Sequence, residues 1–262
     1  MIPLKKIKAF LLDLDGTTYI SDQALPGAIE FLSYANTNNI PVLFFSNNPS
    51  KGIPEYVQHI SKIGIPVAPE QIITSTQATI DYLHSENINY VYAVGTPGFV
   101  GELEKAGLHL TDKDPQAVVI SFDLTLTYDK IKTAALLLHH NPTLPYIATN
   151  PDLVCPTDEG PVPDCGALIA LLKSATGRSP VIIGKPHGGM VRLACHRLGL
   201  EPTDLAVIGD RLYTDILMGK DHGLTTILVL SGETTALDLE QADWKPDFVF
   251  DNLAELLNKL QQ

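Results

Sequence analysis

The stretch Ile7-Lys8-Ala9-Phe10-Leu11-Leu12-Asp13-Leu14-Asp15-Gly16-Thr17 decides the fold. Its first six residues read as a short apolar strand that ends at Asp13. In parallel α/β sheets ligands bind at the carboxyl ends of strands, so Asp13 and Asp15 stand at the natural site. Gly16 lets the chain leave sharply. Two carboxylates so close repel each other unless a cation or proton intervenes, which makes the pair a natural magnesium site. Read alone, Asp15-Gly16 equally suits an ordinary turn at a strand end.

The same grammar extends outward. Short apolar runs alternate with segments of helical period, the pattern of an α/β protein with a mostly parallel sheet. Helix is expected from about Pro26 to Asn38-Asn39, then a strand from Pro41 through Phe45 to Ser46 whose unbroken apolar character implies burial on both faces. Helix follows over about 50–63, and a strand at 71–74 leads to Ser75-Thr76, which can cap another helix. Further strands read at 91–94, 117–120, 145–148, 181–183, 205–209 and 225–229. Further helices read near 98–106, 128–140, 164–176, 189–198, 212–222 and 253–260. The Pro-rich stretch from Asn150 to Pro163 reads as a long loop, and loops of that length within a compact domain are commonly functional or mobile.

Composition bounds the function. The chain has 262 residues, long enough for a core plus a second domain, and 45% hydrophobic with 18% charged residues is an ordinary globular balance. A net charge of −12 disfavours nucleic acid and anionic membranes, both of which need a basic face. It also means that an anionic substrate needs a local cation. No run of about 20 apolar residues exists to span a membrane. The opening residues show no secretion signal, and three sparse cysteines, Cys155, Cys165 and Cys195, fit a reduced cytoplasmic protein. Cys155 and Cys165 bracket Pro156, Pro161 and Pro163 and could in principle pair, against which the compartment argues. No spacing suits zinc.

Three more segments carry chemistry. Gly209-Asp210-Arg211-Leu212-Tyr213-Thr214-Asp215 follows an apolar strand, with Asp210 at its end and Asp215 on the first turn of the next helix. Plain helix capping would also put a carboxylate at Asp215. With Asp13 and Asp15 these make four carboxylates at neighbouring strand ends, costly to bury without magnesium and a basic group. Lys185, in a glycine-rich turn after a strand, is the basic candidate, though a solvated loop lysine would look the same. Ser46-Asn47-Asn48 offers hydroxyl and amide donors for a phosphate, in a composition that ordinary turns share. His139, His140, His187 and Trp244 read as helix-end, loop or packing residues.

In order along the chain these segments resemble the haloacid dehalogenase superfamily, whose phosphatases carry D-x-D-G-T, a Ser/Thr strand end, a lysine and G-D-x-x-x-D. Leu25-Pro26-Gly27-Ala28, Phe45-Ser46-Asn47-Asn48, Gly95-Thr96, Ala148-Thr149-Asn150-Pro151-Asp152, Gly184-Lys185-Pro186 and 209–216 look like the NagD-like, or para-nitrophenylphosphatase-like, branch. The resemblance implies a Rossmann-like, doubly wound parallel-sheet core, residues 1–78 and 179–262, with an inserted α/β cap of the C2 type at 79–178. It makes Asp13 the nucleophile and a metal ligand, and Asp15 the general acid/base with its carbonyl also on Mg²⁺. It makes Ser46, Asn47, Asn48 and Lys185 the phosphate binders, Asp210 a metal ligand and Asp215 a supporting acid. Asn150 and Asp152 are then candidates for substrate specificity. Dehalogenases of the superfamily lack the second aspartate, so Asp15 points to phosphoryl chemistry. The implied partner is a small phosphate ester, of sugar-phosphate or nucleotide type. Two rivals remain: a phosphotransferase using another acceptor, and a phosphate-ester binder without turnover, for which an acid/base such as Asp15 would be idle. Neither the particular ester nor the oligomeric state is legible.

Overall fold

A computed structural model describes residues 4–48, 52–157 and 160–262. They form two compact units: one takes the described residues of Met1–Ser46, Ile53–Ile73 and Val191–Gln262, the other those of Asn47–Gly52 and Thr74–Met190.

The first unit is built on a six-stranded sheet in the order Phe248–Phe250, Thr225–Val229, Leu205–Gly209, Ala9–Asp13, Val42–Ser46, Ile72–Thr74. Its ladders from Val42–Ser46 to Phe248–Phe250 are all parallel, with Phe10 opposite both Ala206 and Val42. The central strands Ala9–Asp13, Val42–Ser46 and Leu205–Gly209 are buried at every residue, because helices cover both faces of such a sheet. Phe10 meets Phe31 of the helix Ala28–Thr37 edge to face, with ring centroids 5.2 Å apart. Tyr56 and Ile60 bury the matching stripe of the helix Ile53–Lys62. The expected opening of that helix at Ser50 lies outside the described residues.

The second unit has its own five-stranded parallel sheet, ordered Val181–Ile182, Tyr146–Ala148, Ala117–Ile120, Tyr90–Val94, His109–Leu110. Its core gathers Val118, Ile120, Leu138, Tyr146, Leu168 and Leu172. Thr96, Thr127 and Asp164 cap its helices by accepting from backbone N–H groups in the first turn. The cap of the helix Ser75–Ser85 is Thr74, which accepts from the Gln77 N–H, so Ser75 and Thr76 fall inside the helix and not before it.

Two further expectations need correction. The stretch 150–163 is not a structureless loop: Val154–Thr157 and Gly160–Pro163 pair as an antiparallel hairpin. Prolines hid it, yet the three within the hairpin occupy the register pairs Val154–Pro163 and Pro156–Pro161. The alternate pairs, Cys155–Val162 and Thr157–Gly160, retain the N–H groups a two-stranded ribbon needs. The helix expected over 212–222 opens as a π turn, Leu212–Ile216, before an α-helix at Leu217–His222. The Ile216 N–H reaches back five residues to the Arg211 carbonyl. Such turns occur often at functional sites.

No disulfide joins the three cysteines. Burial pushes the Cys165 thiol up to about 12, so it is an inert core residue. Among the described residues no helix is long and apolar enough to cross a membrane.

Candidate active site

The strand ends of the first unit bring three carboxylates together. Asp13 closes Ala9–Asp13, Asp210 follows Leu205–Gly209, and Asp215 sits on the π turn beyond it. One oxygen from each lies within 4.8 Å of the others, and all three side chains are buried. Small residues make this possible. A Cβ on Gly16, whose φ is 85°, would stand 2.5 Å from Asp210 Oδ2, and one on Gly232 would stand 2.0 Å from the same atom. A Cβ on Gly209 would fall 2.3 Å from that of Asp215. The chain has left room around these acids that any other residue would fill.

Their hydrogen bonds fix them. Asp210 accepts from the Glu233 N–H at 2.7 Å and from the Thr17 hydroxyl at 3.3 Å. The Thr214 hydroxyl donates to Asp215 Oδ2 at 3.3 Å, and the Thr18 hydroxyl donates to the Asp13 carbonyl at 2.6 Å. Ser231 donates to the Gly16 carbonyl at 2.9 Å, holding the turn after Asp15. Asp15 itself is exposed, unlike Asp13.

Three buried carboxylates repel one another strongly without positive charge. Arg211 supplies some: its Nε lies 2.8 Å from Glu233. Burial opposes the Arg211 charge, but Glu233, Asp13 and Asp210 outweigh that and hold the guanidinium above its ordinary value. An all-oxygen donor set in a glycine-lined cradle also fits a hard divalent cation. The sequence reading assigned Arg211 nothing, although it lies inside the quoted motif.

Ser46 ends Val42–Ser46 and is buried. Its hydroxyl shares a 2.8 Å hydrogen bond with the Tyr56 hydroxyl. Tyr56 was another omission; its spacing to Ile60 marks only the buried stripe of its helix. Tyr19 lines the same region, and burial, then Asp15, Tyr56 and Asp13, raise its phenol so that it stays neutral.

The remaining candidates belong to the second unit. Lys185 is buried, and Asn47 meets its main chain: the Lys185 N–H donates to Asn47 Oδ1 at 2.8 Å, and Asn47 Nδ2 donates to the Lys185 carbonyl at 3.0 Å. Asn47 Nδ2 also donates to Asp152 Oδ2 at 3.0 Å. Asn150 is fully buried, and its Nδ2 donates to the Asn47 carbonyl at 3.0 Å, which the Ser75 hydroxyl also reaches at 2.8 Å. Asn48 is half-buried. Asn47, Asn150, Asp152 and Lys185 therefore form one connected group.

Residues 10–109 match the family model of the haloacid dehalogenase-like hydrolases, and 182–256 match a second model of HAD-hydrolase-like sequences. An acid sugar phosphatase of Staphylococcus haemolyticus is 34% identical over 261 residues, covering 99% of this chain and 98% of its own. The crystal structure of a 4-nitrophenylphosphatase from Thermotoga maritima superposes with a TM-score of 0.93 at 42% identity, covering 98% of this chain and 99% of the other. NagD of E. coli K-12 gives a TM-score of 0.89 at 32% identity over 95% and 98% of the two chains. The chain belongs to the haloacid dehalogenase-like hydrolases, in the branch of the NagD-like phosphatases.

Proposed function

We propose that this protein is a Mg²⁺-dependent phosphatase that hydrolyses small organic phosphate monoesters, of the sugar-phosphate or nucleotide class, through a phospho-aspartate on Asp13. The observation that carries the reading is the buried trio Asp13, Asp210 and Asp215 at strand ends, with Asp15 exposed two residues beyond the first of them.

Asp13 is the nucleophile. Its carboxylate oxygen forms a bond to phosphorus as the ester P–O bond breaks, and Asp15 gives its proton to the departing alkoxide. Asp15, now ionised, takes a proton from water as the water oxygen attacks the acyl-phosphate. Inorganic phosphate leaves and Asp13 is restored. Asp13, Asp210 and the Asp15 carbonyl would hold the metal, with Asp215 supporting it. Magnesium, when bound, supplies the positive charge that lets one anion approach another. Ser46, the main chain at Asn47 and Asn48, and Lys185 take the phosphate oxygens. Residues 79–178 act as a cap that selects the leaving group, and the setting is the cytoplasm. Asn150 and Asp152, the specificity candidates, are both tied to Asn47, which supports a part in holding that residue.

Phosphate release from a panel of sugar phosphates and nucleotides tests the function. Turnover should require Mg²⁺, vanish with excess chelator, and return poorly with Ca²⁺, whose larger, looser coordination disturbs in-line alignment. Full activity in chelator would overturn the metal assignment.

A further inference from the structure

We infer that the Asn47 side chain is a positioning group for Lys185, not a ligand of the phosphate, and that it ties Asp152 to the lysine. This rests on the phosphatase reading, in which Lys185 counters the charge of the phosphate.

A carboxamide has two N–H donors and one carbonyl oxygen. Asn47 Nδ2 donates to the Lys185 carbonyl and to Asp152 Oδ2, each at 3.0 Å. Asn47 Oδ1 accepts from the Lys185 N–H at 2.8 Å. Both donors and the acceptor are thus engaged within the protein, and the donors have no capacity left for a phosphate oxygen. Any contact Asn47 makes with phosphate falls to its main chain.

The pairing also has a recognisable form. By giving to the carbonyl and taking from the N–H of one residue, the carboxamide occupies the place that a neighbouring peptide would take along a strand. Lys185 stands where such a neighbour is needed. Ile183 and Gly184 still donate to the Ala148 and Thr149 carbonyls at 3.0 and 2.8 Å, continuing the ladder of Val181–Ile182. Beyond Gly184 that ladder stops, and Asn47 takes over. Gly184 makes the approach possible, because a Cβ there would fall 2.6 Å from both Asn47 Oδ1 and the Thr149 carbonyl. Asn47 is itself held by Ser75 and Asn150 on its carbonyl. The lysine is buried and its stem is long, so a fixed main chain sets where the ammonium can reach.

A double-mutant cycle tests this, since residues that act through one another are non-additive. The wild type, Asn47→Ala, Lys185→Met and the double variant are compared by calorimetric binding of inorganic phosphate with Mg²⁺ present, and by hydrolysis of 4-nitrophenyl phosphate. With Lys185 in place, Asn47→Ala should weaken phosphate binding about tenfold, the scale of one or two hydrogen bonds. In the Lys185→Met background it should cost less than about twofold, because the group it positions is gone. Asn47→Asp keeps the size and the acceptor but loses both donors and faces Asp152, so it should behave like Asn47→Ala. It serves as the second probe if the alanine variant folds poorly. A direct phosphate contact, or a mere loss of folded protein, would lower binding equally in both backgrounds, and that result would overturn the inference. A wild type that turns over substrate while the cycle is additive sinks this inference alone. A wild type that neither binds phosphate nor releases it sinks the phosphatase reading as well.

Discussion

Asp13 and Asp15 leave the same strand, but one is buried among acids and the other faces solvent. Substituting them should therefore fail in different ways. Asp13→Asn should give no phospho-enzyme at all, since an amide oxygen is a poor nucleophile. Asp15→Asn should still bind substrate but lose roughly 10²–10⁴-fold in rate, the usual share of a general acid/base. For formation of the intermediate, that loss should shrink with nitrophenyl phosphate, whose leaving group needs little protonation. Rapid-quench trapping decides it, and a phospho-enzyme on Asp13→Asn would refute the mechanism. Tyr56→Phe probes a group that is not itself a proposed metal ligand. It removes the 2.8 Å partner of Ser46 and should lower kcat/KM by up to about tenfold, the worth of one hydrogen bond, with the melting temperature little changed. Unaltered kinetics would mean that Ser46 needs no orienting. These partners were illegible beforehand because a hydroxyl pair forms across elements, whereas Asp13, Asp15 and Asp210 announce themselves by standing at the end of apolar runs.

At the scale of the element, Asp164 joins local capping to the energetics of burial. It caps Cys165–Thr176 through the Cys165 N–H and is itself buried. Burial, reinforced by Asp152, pushes its carboxyl from 3.8 up to about 6. The folded state therefore favours the protonated form. That contribution to stability is complete below about pH 4 and is lost as pH rises through about 6. Asn caps as well as Asp and carries no charge. Relative to wild type, Asp164→Asn should gain stability over that window, on the order of 1–3 kcal/mol by pH 7. Urea midpoints for both proteins at several pH values measure it, and a difference constant with pH would show that Asp164 ionises normally. The strands and most helices were legible because apolar runs and helical periods are local signals. The hairpin at 154–163 was not, because proline argues against strands wherever register is unknown, and register is not a local property. The π turn at Leu212–Ile216 escaped for a related reason: it is stabilised by Leu212 N–H donating to Thr234, 22 residues on.

For the molecule as a whole, the net charge of −12 acts against an anionic substrate at a distance. Salt screens that repulsion over a Debye length, so kcat/KM for a dianionic ester should rise, or stay level, between about 0.01 and about 0.15 M NaCl at saturating Mg²⁺. A steep fall would reveal a positive field reaching out from the site, which the sequence does not suggest. The alternation of strands and helices announced two α/β sheets as readily as one, and the resemblance supplied the idea of an insertion. Which strands share a sheet depends on contacts that composition cannot express, as the pairing of Val181–Ile182 with Tyr146–Ala148 shows.

The ribbon at 154–163 bears on how copies of the protein behave in a crowded solution. A two-stranded ribbon shows two open edges, and an open edge invites a strand from a neighbouring molecule. Pro156, Pro161 and Pro163 occupy the pairs whose main-chain nitrogens face outward, away from the partner strand. An intruding strand would find carbonyl oxygens there but almost no hydrogen to accept. The residues that hid this hairpin from a reader of the sequence also hide it from other chains, and so guard the protein against edge-to-edge aggregation.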